Sequence, residues 1–132
     1  MNSFAFSTCN SIFCESGASR NLSEKCQSLG INNVLIITDE GLIEFGLIQP
    51  IVEGITENSN IKVSVFSDIE ADPPEHVVLN AIDYAKQNKI DGVLGVGGGS
   101  SMDVAKLVAT LSGNDTKPVS YTHLTLPTNR EV

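Results

Sequence analysis

The sequence is poor in basic and aromatic residues. It has no tryptophan, aromatic side chains make up 5% of it, and 8 lysines and arginines stand against 16 aspartates and glutamates, for a formal net charge of −8. A nucleic-acid or anionic-membrane surface needs a basic patch, which this composition does not supply. We therefore expect no nucleic-acid partner and no membrane partner.

Long apolar runs and zinc-type cysteine spacings are also missing. No stretch approaches the roughly 18 apolar residues of a membrane span. The first residues, MNSFAFSTCNSIFC, have neither the basic nor the apolar segment of an export signal. Cys9, Cys14 and Cys26 match no zinc-binding spacing. We expect a cytoplasmic protein with reduced thiols.

What the sequence does contain is a regular alternation of helix and strand patterns. At 132 residues, 41% of them hydrophobic, the chain has the size of one domain. The stretches NNVLIITDEG, IKVSVFSD and DGVLGVG have the apolar, β-branched character of strands. Helical spacing first occurs over about residues 17–29 and ends at Gly30. Two short helices are expected in GLIEFGLIQPIVEGITENS, the second beginning near Pro50. Two further helices are expected in ADPPEHVVLNAIDYAKQNK and SMDVAKLVATLSG. Short entry strands or a hairpin are expected in SFAF and SIF.

This order of elements predicts the fold class α/β. Strands that alternate with helices form a parallel sheet, joined by right-handed crossovers and covered by helices. Ligands of such sheets bind outside the carboxyl ends of the strands. Asp39 and the glycine run 97–99 both follow predicted strands.

The glycine run has the pattern of an anion site. Gly97, Gly98 and Gly99 stand between a strand and a helix, so that their amides can approach a phosphate at the helix start. Ser100 is expected to cap the helix, with Asp103 reaching back as in a capping box. Alternatively, these residues only begin a helix. The dinucleotide fingerprint is incomplete, because GxGxxG counted from Gly95 ends in Ser100 and no acidic residue follows on a strand end about 20 positions later.

Three stretches carry a family resemblance. TDEG, SDIEADPPEHVV and GVGGGSSMDVAK, in this order, resemble the amino-terminal domain of the iron-containing (group III) alcohol dehydrogenases over roughly residues 3–115. The resemblance implies a Rossmann-like parallel sheet flanked by helices, of the dehydroquinate synthase-like type, with a second, helical, metal-binding domain missing from this chain. Family members transfer hydride between NAD(P) and an alcohol or aldehyde.

The resemblance also implies cofactor-binding residues. Asp39 would lie beside the adenine ribose and favour NAD over NADP, because its carboxylate repels the extra phosphate. The remaining implied cofactor-binding residues are Asp72, Gly97, Gly98, Gly99, Ser100, Ser101 and Asp103. Asp72 is equally well interpreted as a polar turn residue before Pro73.

No catalytic or metal-binding residue is expected in this chain. His76 and His123 match no metal motif of the family, so Fe²⁺ or Zn²⁺ is expected only in the full-length member and the fragment alone should be inactive. We expect an NAD(P)-binding domain over residues 1–118. Residues 119–132 are expected to be a non-native tail, because VSYTHL looks like a translated sequencing adaptor.

Three alternatives to an alcohol dehydrogenase fragment stay open. The chain could come from a glycerol dehydrogenase, from a dehydroquinate synthase-like relative, or be a stand-alone nucleotide-binding or interaction module without catalysis. The full-length enzyme would take a small alcohol or aldehyde and would form a homodimer in the manner of its relatives. The isolated chain is expected to associate through an exposed apolar face.

Overall fold

The fold is a parallel β-sheet with helices on both faces. The computed structural model describes residues 21–69, 74–112 and 120–124. The elements are α1 (Leu22–Ser28), β1 (Asn33–Ile37), α2 (Glu40–Glu44), α3 (Gln49–Glu57), β2 (Lys62–Phe66), α4 (Glu75–Gln87), β3 (Gly92–Val96), α5 (Gly99–Ser112) and β4 (Ser120–Leu124). The α/β prediction is confirmed, and each predicted element from β1 onward has its counterpart. The expected strands near residues 3–13 and the first residues of the helix expected over 17–29 lie outside the described residues.

Within the described residues the strands have the order β2-β1-β3-β4, and every pairing is parallel. Ile37, the last residue of β1, lies in register with Phe66 of β2 and with Gly95 of β3. The segments that follow these strands therefore meet at one edge of the sheet. Strand β4 lies in the segment expected to be non-native, and that boundary stays a prediction.

Two hydrophobic cores lie on opposite faces of the sheet. Side chains alternate along a strand, so Leu35 and Ile37 face one core, with α4 and α5, while Val34 and Ile36 face the other, with α1 and α3. All four side chains are fully buried. Residues of β1 and β3 are buried on both faces, as the continuous apolar runs predict. Edge strand β2 is partly exposed.

Three of the helices end in the same hydrogen-bonded turn. In α1 the amide of Gly30 donates to the carbonyl of Gln27 and that of Ile31 to the carbonyl of Cys26, with Gly30 at φ +72°. This is a Schellman motif, for which glycine is the favoured residue. The helix end predicted at Gly30 is confirmed. Among the described residues, no helix combines the length and the apolar character needed to cross a bilayer.

Candidate functional site

The candidate site lies where β1 and β3 run side by side. The chain leaves β1 through α2 and α3 toward β2 on one side, and leaves β3 through α5 toward β4 on the other. Neighbouring strands whose connections depart in opposite directions leave a crevice at their carboxyl ends, and ligands of doubly wound sheets bind there. Residues 38–42 and 97–101 form the two sides of this crevice.

Asp39 fastens the first of these two segments. Its backbone is extended, and its Oδ1 accepts a hydrogen bond from the amide of Leu42 at 3.0 Å, which makes Asp39 the N-cap of α2. The other carboxylate oxygen, Oδ2, faces Gly97 across the crevice. Asp39 therefore has one oxygen committed to the fold, and the second lies against the glycine run.

Gly97 is fixed by close packing. It has φ +136°, in the region that favours glycine, and a Cβ placed on it would lie 3.2 Å from Asp39 Oδ2, 3.2 Å from Leu42 Cδ1 and 3.3 Å from Ser101 Oγ. We call these three residues the Gly97 cradle. Because a side chain at Gly97 would be both strained and crowded, the chain requires glycine here for its own structure.

Gly98 and Gly99 present a different environment. A Cβ placed on either would have no neighbour within 4 Å, and both residues are exposed. The carbonyl of Gly98 accepts from the amide of Met102 at 3.1 Å, so Gly98 is the N-cap and α5 begins at Gly99. The first amides of this 14-residue helix thus lie beside open space.

The predicted capping box is wrong. Ser100 lies inside the first turn of α5, because the helix begins one residue before it. Asp103 is exposed, and it makes no hydrogen bond to a residue that the structure describes at the helix start. The glycine already at the N-cap position, Gly98, leaves no capping role for the Ser100 side chain.

Two buried hydroxyl groups border the crevice. Ser101 is 2% exposed and its Oγ belongs to the Gly97 cradle, so the structure places it behind the glycine run. Thr38 is fully buried, and its Oγ1 has no hydrogen-bond partner within the described part of the chain. A buried hydroxyl without a partner is costly, and few such groups occur in native proteins.

The structure brings together only part of the predicted set. Asp39 and Ser101 both lie beside Gly97, and the glycine run continues through Gly98 and Gly99 to Ser100, whereas Asp72 lies outside the described residues. Sequence reasoning missed Leu42 and gave no role to Thr38. The spacing of Leu42, three residues after an N-cap candidate, was the available signal, since that position donates its amide to the cap. No group of three or more histidines, cysteines or acidic residues suited to a metal occurs in the described ranges.

The family profile described as iron-containing alcohol dehydrogenase matches residues 9–131 of this chain. The chain belongs to this family. It is 35% identical over 109 residues to long-chain-alcohol dehydrogenase 1 of Geobacillus thermodenitrificans, a match that covers 83% of this chain and 27% of that protein. It is also 31% identical over 98 residues to the NAD-dependent methanol dehydrogenase of Bacillus methanolicus, covering 74% of this chain and 26% of that one.

Solved structures of the family share the fold. NADH-dependent butanol dehydrogenase A of Thermotoga maritima superposes with a TM-score of 0.76 at 28% identity, over 90% of this chain and 30% of that one. The chain therefore spans about a quarter to a third of the length of the family members it matches. The resemblance read from TDEG and GVGGGSSMDVAK is confirmed as family membership.

Proposed function

We propose that this chain supplies the nucleotide-binding part of an NAD-dependent, metal-containing alcohol dehydrogenase. The observation that carries the proposal is the open backbone of Gly98 and Gly99 at the start of α5, within the crevice between β1 and β3. Helix amino termini favour anions because their first amides are unpaired and the helix dipole is positive there. The pyrophosphate of NAD(H) is the anion that this arrangement suits.

The residues present fit the dinucleotide. Gly98 and Gly99 leave space for a pyrophosphate to contact the amides of residues 98–100. Asp39 Oδ1 accepts from Leu42, whereas Oδ2 accepts no hydrogen bond from the residues that the structure describes and could accept one from a ribose hydroxyl. The same carboxylate would repel the additional phosphate of NADP, so we propose a preference for NAD. Ser100 and Asp103 remain candidate contacts at the helix start, and Ser101 acts from behind the loop.

NAD(H), when bound, supplies the hydride that is exchanged with an alcohol or aldehyde. This chain's part is to hold the adenosine and the pyrophosphate, and so to direct the nicotinamide out of the crevice. The metal that would polarise the substrate oxygen, Fe²⁺ or Zn²⁺, and the substrate contacts would come from residues beyond those of this chain. A cytoplasmic location and a homodimer stay predictions for the complete enzyme.

Nucleotide binding without catalysis is the second candidate for the 132-residue chain alone. It is favoured by the site itself, because the open backbone of Gly98 and Gly99 and the orientation of Asp39 Oδ2 suit binding of a nucleotide and involve no group that would act on an alcohol. The two candidates differ in one measurable respect. Binding of NADH without turnover of any alcohol, with Fe²⁺ or Zn²⁺ added, would favour the binding module.

Titration of the purified chain with NADH, followed by fluorescence or calorimetry, tests the site. Gly98→Asp is the decisive variant, because aspartate is a good N-cap and the new side chain enters open space, yet its charge occupies the anion position. We expect unchanged thermal stability and an NADH dissociation constant raised at least about tenfold, corresponding to about 1.4 kcal/mol.

Two variants serve as controls. Gly98→Ala adds only a methyl group in open space and should bind nearly as the parent does. Asn80→Asp adds the same charge on the exposed side of α4 and should leave binding unchanged. Equal affinity of Gly98→Asp and the parent chain would refute the pyrophosphate role, and tighter binding of NADPH than NADH would refute the role of Asp39.

A further inference from the structure

Leu42 is positioned through both its backbone amide and the tip of its side chain. Its amide donates to Asp39 Oδ1 at 3.0 Å, and its Cδ1 would lie 3.2 Å from a Cβ on Gly97. The side chain is partly buried and packs against the core on the α1 and α3 face. Leu42 is therefore fixed within its own segment, after β1, by a hydrogen bond, and its Cδ1 lies beside Gly97 in the segment after β3.

The position of Leu42 therefore determines how far the segment after β1 lies from the segment after β3. The two subsites of the proposed function lie in different segments, the ribose acceptor at Asp39 and the pyrophosphate amides after Gly97. Asp39 Oδ2 also lies beside Gly97, but it is a polar atom that a ligand hydroxyl or water would satisfy equally well. Leu42 Cδ1 lies against the same glycine, and water does not replace this packing, because a gap there would forfeit the dispersion contacts of the methyl group.

We propose that Leu42 is a positioning residue that fixes the spacing between the ribose subsite and the pyrophosphate subsite. This inference rests on the proposed function and adds a determinant of coenzyme affinity that touches neither the nucleotide nor the substrate. A dinucleotide joins both subsites through covalent bonds of fixed length and is sensitive to their spacing. Adenosine occupies only the ribose subsite, so its affinity does not depend on the spacing of the two subsites.

The test compares NADH with adenosine. Leu42→Ala removes the contact with Gly97 but keeps the backbone amide that Asp39 caps. We expect the NADH dissociation constant, measured by fluorescence, to rise about tenfold, as misplaced binding groups typically cause. The adenosine dissociation constant, measured by ligand-observed NMR, should change less than twofold.

Companion variants separate positioning from general destabilisation. Leu42→Met conserves volume and should restore NADH affinity to near the parent value. Leu42→Val removes less of the side chain and replaces Leu42→Ala if that variant does not fold. It should give an intermediate NADH affinity and leave adenosine binding unchanged. Ile43→Ala, the next residue on α2 and 41% exposed, is the matched control and should bind both ligands as the parent does.

The outcomes are distinguishable. Parallel losses of NADH and adenosine affinity, or an unchanged NADH affinity in Leu42→Ala and Leu42→Val, would overturn the positioning role while leaving the proposed function intact. Failure of the parent chain to bind NADH at all would overturn both. A selective loss of NADH affinity with rescue by Leu42→Met would support the proposal.

Discussion

At the scale of single residues, the three adjacent glycines differ in whether the fold itself requires glycine. Gly97 has φ +136° and no room for a Cβ within the cradle of Asp39, Leu42 and Ser101. Gly98 and Gly99 have room, so the folded chain alone does not demand glycine there. Any substitution at Gly97 should therefore affect folding, whereas at Gly98 a negatively charged side chain should affect binding of the proposed ligand and leave folding intact.

Cys26 gives a residue-scale prediction about pH. Burial, and secondly the carboxylate of Asp91, raise the pKa of its thiol above the ordinary value. In the unfolded chain the thiol ionises near pH 8.5, so the folded state alone retains the proton above that pH. The stabilisation from the protonated thiol is fully present below about pH 8.5 and is lost as the pH rises through the folded pKa.

We expect the free energy of unfolding to fall more steeply between about pH 8 and pH 10 in the parent chain than in Cys26→Ala. Urea denaturation at several pH values measures both slopes. The comparison uses slopes because the alanine variant is also less stable at neutral pH, owing to the space it leaves in the core. Identical slopes would show that ionisation of Cys26 is not coupled to folding.

At the scale of elements, the ends of α1, α2 and α4 share one turn with different residues at its left-handed position. Gly30 and Gly46 occupy it after α1 and α2, at φ +72° and +73°, and Lys89 occupies it after α4, at φ +53°. The amide of Lys89 donates to the carbonyl of Lys86, and that of Ile90 to the carbonyl of Ala85. A lysine in this conformation is strained because its Cβ crowds the backbone.

Lys89→Gly should therefore stabilise the chain by about 0.5–1 kcal/mol, since relief of strain exceeds the extra freedom of glycine in the unfolded state. Thermal denaturation measures the change as a higher Tm. Gln87→Gly, in the last helical turn two residues earlier, is the matched control and should destabilise by a similar amount. A lower Tm for Lys89→Gly would contradict the assignment of strain.

Elements were more predictable from the sequence than the contacts between them. Hydrophobic period and turn residues located β1, β2 and β3, the break between α2 and α3, and the end of α1, because these depend on neighbours in the chain. The N-cap of α5 was misplaced at Ser100, since strand-to-helix geometry made Gly98 the N-cap.

The Gly97 cradle was not predictable from the sequence. It depends on the parallel pairing of β1 with β3, which brings Asp39 and Leu42 against Gly97. Periodicity within a segment contains no information on such a contact. Motif spacing did place Asp39 and the glycines at the same sheet edge, which the register of Ile37 with Gly95 bears out.

At the scale of the whole molecule, an exposed apolar segment favours self-association, whereas the large negative charge disfavours it. Ile43, Phe45 and Leu47 are 41%, 81% and 45% exposed within five residues. The net charge of −8 and the pI near 4.5 keep copies of the chain apart at neutral pH. Association should therefore depend on pH.

We expect the chain to self-associate increasingly as the pH falls from 8 toward the pI near 4.5. Size-exclusion chromatography with light scattering measures the mass at each pH. Phe45→Ser should reduce association. The control is Leu79→Ser on α4, which removes another exposed apolar side chain, 51% exposed, and should leave association unchanged. A monomer throughout the range would contradict the expectation.

The order of strands has a consequence for how the crevice comes into being during folding. Its two sides belong to segments that are far apart along the chain, so bringing them together costs loop-closure entropy that is recovered only when β3 pairs with β1. A partly folded chain with β1 and β2 paired but β3 detached would have Asp39 without Gly97. On the function proposed above, coenzyme would bind only after β3 has docked on β1, and its binding would favour the native topology over such a partly folded chain.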